Sequence, residues 1–130
     1  MSPAPSPVVT YRGPSGPWRL ERGYVVRDGR FRLRIPRGFE FDAASIPRVC
    51  WWLIGPVELS LAAPLAHDFL YRCGGCPEPG VALPARTWTR AEADRLFRVV
   101  MAAEGVPRWR RGLAYLAVRL FGWRAWRDPA

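Results

Sequence analysis

The sequence predicts an α+β fold, a small N-terminal antiparallel sheet followed by about three helices in a single domain. Three observations carry this expectation. A Trp18–Val26 run and a Phe31–Ile35 run rich in β-formers flank Asp28-Gly29, a strong hairpin signal. Thr89-Arg-Ala-Glu92 has the spacing of a capping box, which opens a helix. Pro107, a residue suited to a first helical turn, precedes apolar residues recurring at helical spacing.

Taken in order, residues 1–16 are rich in Pro, Ser and Gly and read as a flexible arm. The domain is expected over 17–124, with 125–130 as a tail. In the second β-run Phe31, Leu33 and Ile35 alternate with Arg32 and Arg34, so one face is apolar and the other carries guanidinium groups. Residues 38–42 read as one more short strand, and residues 43–47 leave it as a loop. Residues 49–54, with Trp51 and Trp52, read as a short helix or turn inserting aromatics into the core.

The first helix is expected over about 61–72, with Pro64 tolerated in its first turn. The second runs from the Thr89 cap to about Glu104, ahead of Gly105. On the third, Trp109, Leu113, Leu116, Ala117 and Leu120 form one apolar face, and Gly122 ends it.

Bulk properties set the outer limits. The 130-residue chain has a net charge of +9, and every one of its 20 basic residues is Arg. Arg forks onto phosphate and stacks on rings, which suits nucleic acid or lipid headgroups, but a compositional bias of the genome accounts for the same excess. No positively charged start leads into an apolar run and no apolar stretch approaches a membrane span, so a protein without signal peptide or transmembrane segment is expected. Cys73-Gly-Gly-Cys76 has C-x-x-C spacing, but too few further Cys and His accompany it for a zinc site, and it reads as a plain loop open to oxidation.

The chemistry concentrates in the first helix. From Leu61 to Tyr71 nearly every residue is apolar except His67 and Asp68, so both are expected to be buried and to need partners. Adjacent helical side chains point about 100° apart, hence the two face different partners. Asp94, at the edge of the second helix's Ala93/Phe97/Val100/Met101 face, is the expected partner of His67. A carboxylate on one ring nitrogen makes the other a general base toward water. Asp68, with Asp42 and carbonyls of the 42–46 loop, would supply oxygen ligands for calcium, which would polarise an ester carbonyl. A lone histidine is equally read as a hydrogen-bonded structural residue, and Asp68 as the partner of one of the many arginines.

The blocks Gly38-Phe-Glu-Phe-Asp42-Ala-Ala-Ser45-Ile-Pro47, Trp51-Trp52, His67-Asp68-Phe-Leu-Tyr71, Arg90-Ala-Glu-Ala-Asp94-Arg-Leu-Phe97 and Gly105-Val-Pro-Arg-Trp109 resemble the phage- and prophage-associated domain of unknown function 1353, over about residues 20–122. That resemblance implies a phage or prophage origin, in a host bacterial cytoplasm or a virion, and names no reaction. His67-Asp68-x-x-Tyr71 followed by Asp94 is also similar, more locally, to the paired helices of phospholipase A2. This second resemblance implies His67 as base, Asp94 as its orienting partner, Asp68 with Asp42 around calcium and Tyr71 supporting the network, though the glycine-rich calcium loop and flanking disulfides of the animal enzymes are absent; Ser45 is read as part of a supporting loop.

Three functions are expected in order: a calcium-dependent, phospholipase A2-like ester hydrolase; a non-enzymatic tail or head accessory protein that contacts other phage structural proteins; and an Arg-rich nucleic-acid-binding protein. For the first, Arg108, Arg111, Tyr115 and Arg119 form a basic stripe, followed by Trp123 and Trp126, that suits an anionic lipid surface.

Overall fold

The structure is a computed structural model of the chain, and it describes residues 7–10, 18–41 and 62–127. Among these residues the fold is α+β, with two small antiparallel sheets and three α-helices. The strands are β1 (Val9–Thr10), β2 (Trp18–Leu20), β3 (Tyr24–Asp28), β4 (Phe31–Ile35), β5 (Glu40–Phe41) and β6 (Ala82–Leu83). The helices are α1 (Ala62–Arg72), α2 (Arg90–Ala103) and α3 (Arg108–Phe121), and a 3-10 turn at Gly122–Arg124 follows α3.

The hairpin forms where Asp28-Gly29 places it. Gly29 takes a φ of 61°, which favours glycine, and β3 pairs with β4 from Asp28↔Phe31 to Tyr24↔Ile35. Leu33 and Ile35 are buried while Arg32 and Arg34 are exposed, as the alternation requires. The Trp18–Val26 run, however, is two strands in two sheets. β2 pairs with β5 through Trp18↔Phe41 and Arg19↔Glu40, Leu20 exchanges backbone hydrogen bonds with Phe39 and Gly38 just before β5, and the chain bends at Glu21–Arg22 before β3 joins β4.

Within the stretch expected as an arm, β1 pairs with β2 through Val9↔Leu20 and Thr10↔Arg19. The second sheet gains β6 beside β4. At two residues each, β1 and β6 are too short to leave a periodic signal. The 49–54 segment with Trp51 and Trp52 lies outside the described residues.

The core joins Leu20, Val26, Leu33, Ile35 and Phe41 of the sheets to Leu65 and Leu70 of α1 and to Leu96, Phe97 and Met101 of α2. Side chains hold the N-terminal ends of α1 and α2. The capping box of α2 is complete, with Glu92 N donating to Thr89 Oγ1 at 3.1 Å and Thr89 N donating to the Glu92 carboxylate at 3.0 Å. Glu104, just past α2, accepts from Ala62 N at 3.1 Å and so satisfies a free donor at the start of α1. Arg86 spans the Glu92 carboxylate (2.8 Å) and Asp28 (3.5 Å), tying the cap to the hairpin.

The third helix departs from expectation. Its buried residues are Ala114, Ala117 and Val118, whereas Trp109, Leu113, Leu116 and Leu120 are exposed. Small side chains let α3 approach the core closely, which turns the large apolar face, one helical step away, to the outside.

Candidate functional site

α1 brings His67 and Tyr71, one turn apart, to the same side, where Asp94 of α2 meets both. The α1 position is set by the apolar run around His67, which leaves no solvated face to the helix. His67 Nε2 lies 2.7 Å from Asp94 Oδ1, and the Tyr71 hydroxyl donates to the same oxygen at 2.5 Å. The His67 and Tyr71 rings stack obliquely at 4.0 Å between centroids, and Phe97 approaches His67 at 4.8 Å. His67 and Asp94 have no exposed surface and Tyr71 has 1%.

The other carboxylate oxygen faces two arginines. Arg119 of α3 donates to Asp94 Oδ2 at 2.8 Å, and Arg90, one turn before Asp94, does so at 3.4 Å. The Arg90 fork also donates to the Tyr71 hydroxyl (3.4 Å), Val118 O (3.2 Å) and Arg119 O (3.2 Å). Arg90 thereby binds the C-terminal end of α3 to the site, adding charged donors to carbonyls of the last helical turn.

These contacts set the protonation states. Burial alone would raise the Asp94 carboxyl, but hydrogen bonds from His67 and Tyr71 and the Arg119 guanidinium hold it below the usual carboxylate range. Burial pushes the His67 imidazole down, and the attraction of Asp94 offsets this only in part, with Arg90 opposing a further positive charge. One carboxylate already faces two guanidinium groups, so an imidazolium would be the third cation around a single anion. His67 is therefore neutral at neutral pH, and with Asp94 ionised its Nε2–H is the donor to Oδ1. Burial, then the Asp94 carboxylate, push the Tyr71 hydroxyl up, so it stays a donor.

Asp68 faces elsewhere, as its position one residue from His67 requires. It is buried and pairs with Arg72 Nε at 3.1 Å, one turn along α1. Arg72 also covers the Phe39 ring at 5.5 Å. Asp42 and Ser45 lie outside the described residues, and among the described residues no group of three or more His, Cys, Asp or Glu gathers to hold a cation.

Of the stripe read as lipid-facing, Arg108 is exposed. Arg111 turns back to Val106 O at 3.1 Å, and Arg119 turns inward to Asp94. Arg90 and Gly122 belong to the site and were not read as site residues from the sequence. Arg90 could have been found from its i,i+4 spacing to Asp94. Gly122 could not, since the Tyr71 hydroxyl that a Cβ there would meet at 2.8 Å is 51 positions earlier.

The fold and site define an α+β domain built around a buried His–Asp–Tyr–Arg network. Residues 18–118 match the family described as Protein of unknown function (DUF1353), and the chain belongs to that family. It is also similar to the uncharacterized protein y4jT of Sinorhizobium fredii, with 32% identity over 90 residues, covering 68% of this chain and 23% of that protein. The chain thus spans less than a quarter of this relative's length. No solved structure matches.

Proposed function

We propose that this protein is an ester hydrolase of the phospholipase A2 kind in which His67 is the general base. The observation that supports the reading is the 2.7 Å contact between His67 Nε2 and Asp94, around an imidazole kept neutral. Asp94 fixes the tautomer, and Tyr71 and Arg119 fix Asp94. Once the packing around the imidazole opens, Nδ1 takes a proton from water as the water oxygen bonds to the ester carbonyl carbon. The proton passes to the leaving alkoxide as the ester C–O bond breaks. Because the imidazole has no exposed surface, turnover requires the packing around it to open.

The test is fatty-acid release from phospholipid vesicles by wild type and His67→Asn, each with calcium and with chelator. Wild-type hydrolysis that falls about 10²–10⁴-fold in the variant supports the reading. Absence of wild-type hydrolysis in both arms refutes it. The chelator arm separately decides whether calcium takes part, a role that would require Arg72 to release Asp68.

One observation favours a second reading. The sealing of His67 is what a structural hydrogen-bond network requires, and it suits a non-enzymatic phage accessory protein. In that case wild type is inactive while His67→Asn is destabilised.

A further inference from the structure

The outer face of α3 is apolar and open. Leu113, Leu116 and Leu120 are 47%, 51% and 57% exposed, Phe121 is 60%, and Trp109 and Trp123 at the two ends are 56% and 59%. Six large apolar side chains along one helix and its following turn exceed the scattered apolar residues of an ordinary surface. Each terminal Trp is covered by the next arginine, Arg110 over Trp109 at 5.1 Å and Arg124 over Trp123 at 5.3 Å.

Charge selects the occupant. Residues 105–127 contain six arginines and no Asp or Glu, in a chain of net charge +9. A second copy seated on this face would set arginine rims against each other. An anionic partner relieves that repulsion. Trp rings at both ends of a leucine row, with guanidinium groups beside them, match the depth profile of a lipid interface, where rings sit at the headgroups and cations meet phosphate.

We propose that the Trp109–Trp123 face of α3 docks the protein on an anionic phospholipid bilayer. The surface differs from the Arg108/Arg111/Arg119 stripe, two of whose guanidinium groups are engaged by the protein itself. It stands on exposed chemistry and does not depend on His67 being a base.

The experiment is flotation of the full chain with vesicles of phosphatidylglycerol and phosphatidylcholine in equal parts, and with phosphatidylcholine alone. Wild type is expected to float with the anionic vesicles and to be released by salt. Leu116→Glu is expected to weaken partitioning by about tenfold or more. Leu116→Phe retains it. The side chain is half exposed, so both variants keep the wild-type circular dichroism spectrum and unfolding midpoint.

Equal flotation of wild type and Leu116→Glu, or no flotation of wild type, overturns the proposal. So does a dimer in sedimentation velocity that Leu116→Glu dissolves, which would give the face to a second copy. His67→Asn floats as wild type does, so loss of hydrolysis and loss of docking are read separately.

Discussion

Replacing Asp94 by Asn keeps the shape of the side chain and removes its charge, which makes it the sharpest test of the network. His67 and Tyr71 both bond to Oδ1, at 2.7 and 2.5 Å. A hydrogen bond to a charged group contributes about 1.5–3 kcal/mol and a neutral one about 1 kcal/mol, so neutralising the shared acceptor costs about 1–3 kcal/mol. The Arg90 and Arg119 side chains are 21% and 32% exposed, so water screens their attraction to Asp94. Their loss adds about 0.5 kcal/mol each.

The expected destabilisation is about 2–4 kcal/mol, or about 6–15 °C in thermal midpoint for a domain of this size. Urea unfolding followed by tryptophan fluorescence measures it, with the slope unchanged if the denatured state is unaffected. Adding Arg119→Met to both backgrounds closes a double-mutant cycle, and Arg119→Met should cost much less once Asp94 is already Asn. A loss below about 0.5 kcal/mol, or additive single effects, would refute the assignment of Asp94 as the shared anchor.

Stability should fall on acidification. The unfolded chain takes up a proton at His67 from about pH 6.5 downward and the folded one resists it, and the depressed Asp94 carboxyl extends the loss below about pH 4. Both groups bind more protons unfolded, so the slope of stability with pH is positive. His67→Gln should flatten it between about pH 5 and 7, and an unchanged thermal-midpoint profile would contradict the neutral buried imidazole. Gly122→Ala places a Cβ 2.8 Å from the Tyr71 hydroxyl and should cost about 1–3 kcal/mol in urea unfolding, whereas a neutral effect would mean that Tyr71 moves freely. Glu104→Ala removes the acceptor from Ala62 N and should cost about 1 kcal/mol, measured the same way against Glu104→Gln, which retains an acceptor.

What could be read from the sequence was local. The Asp28-Gly29 hairpin, the Thr89/Glu92 box and Pro64 in the first turn of α1 follow from rules spanning two to four residues, and each formed. The burial of His67 and Asp68, and their facing different sides, followed from their setting in an apolar run and the helical turn angle, whereas Arg72 was not singled out as the partner of Asp68. The outward turn of Leu113, Leu116 and Leu120 was not legible, because an apolar face has the same periodicity whether it meets a core or a partner. The inward turn of Arg119 was hidden for a related reason. Its position on the helix fixes its direction, and only the packing of α3 against α2 decides what lies there.

The Arg90 fork makes the order of assembly matter. His67, Tyr71 and Asp94 are all made before α3, yet the carbonyls that hold Arg90 and the guanidinium that completes Asp94 arrive at positions 118 and 119. The trio is thus complete in sequence before the guanidinium nearest Asp94 Oδ2 is made. The last helix therefore closes an electrostatic circuit as well as a surface. A chain halted near residue 110 would carry every member of the His–Asp–Tyr trio but neither Arg119 nor the Val118 and Arg119 carbonyls that seat Arg90.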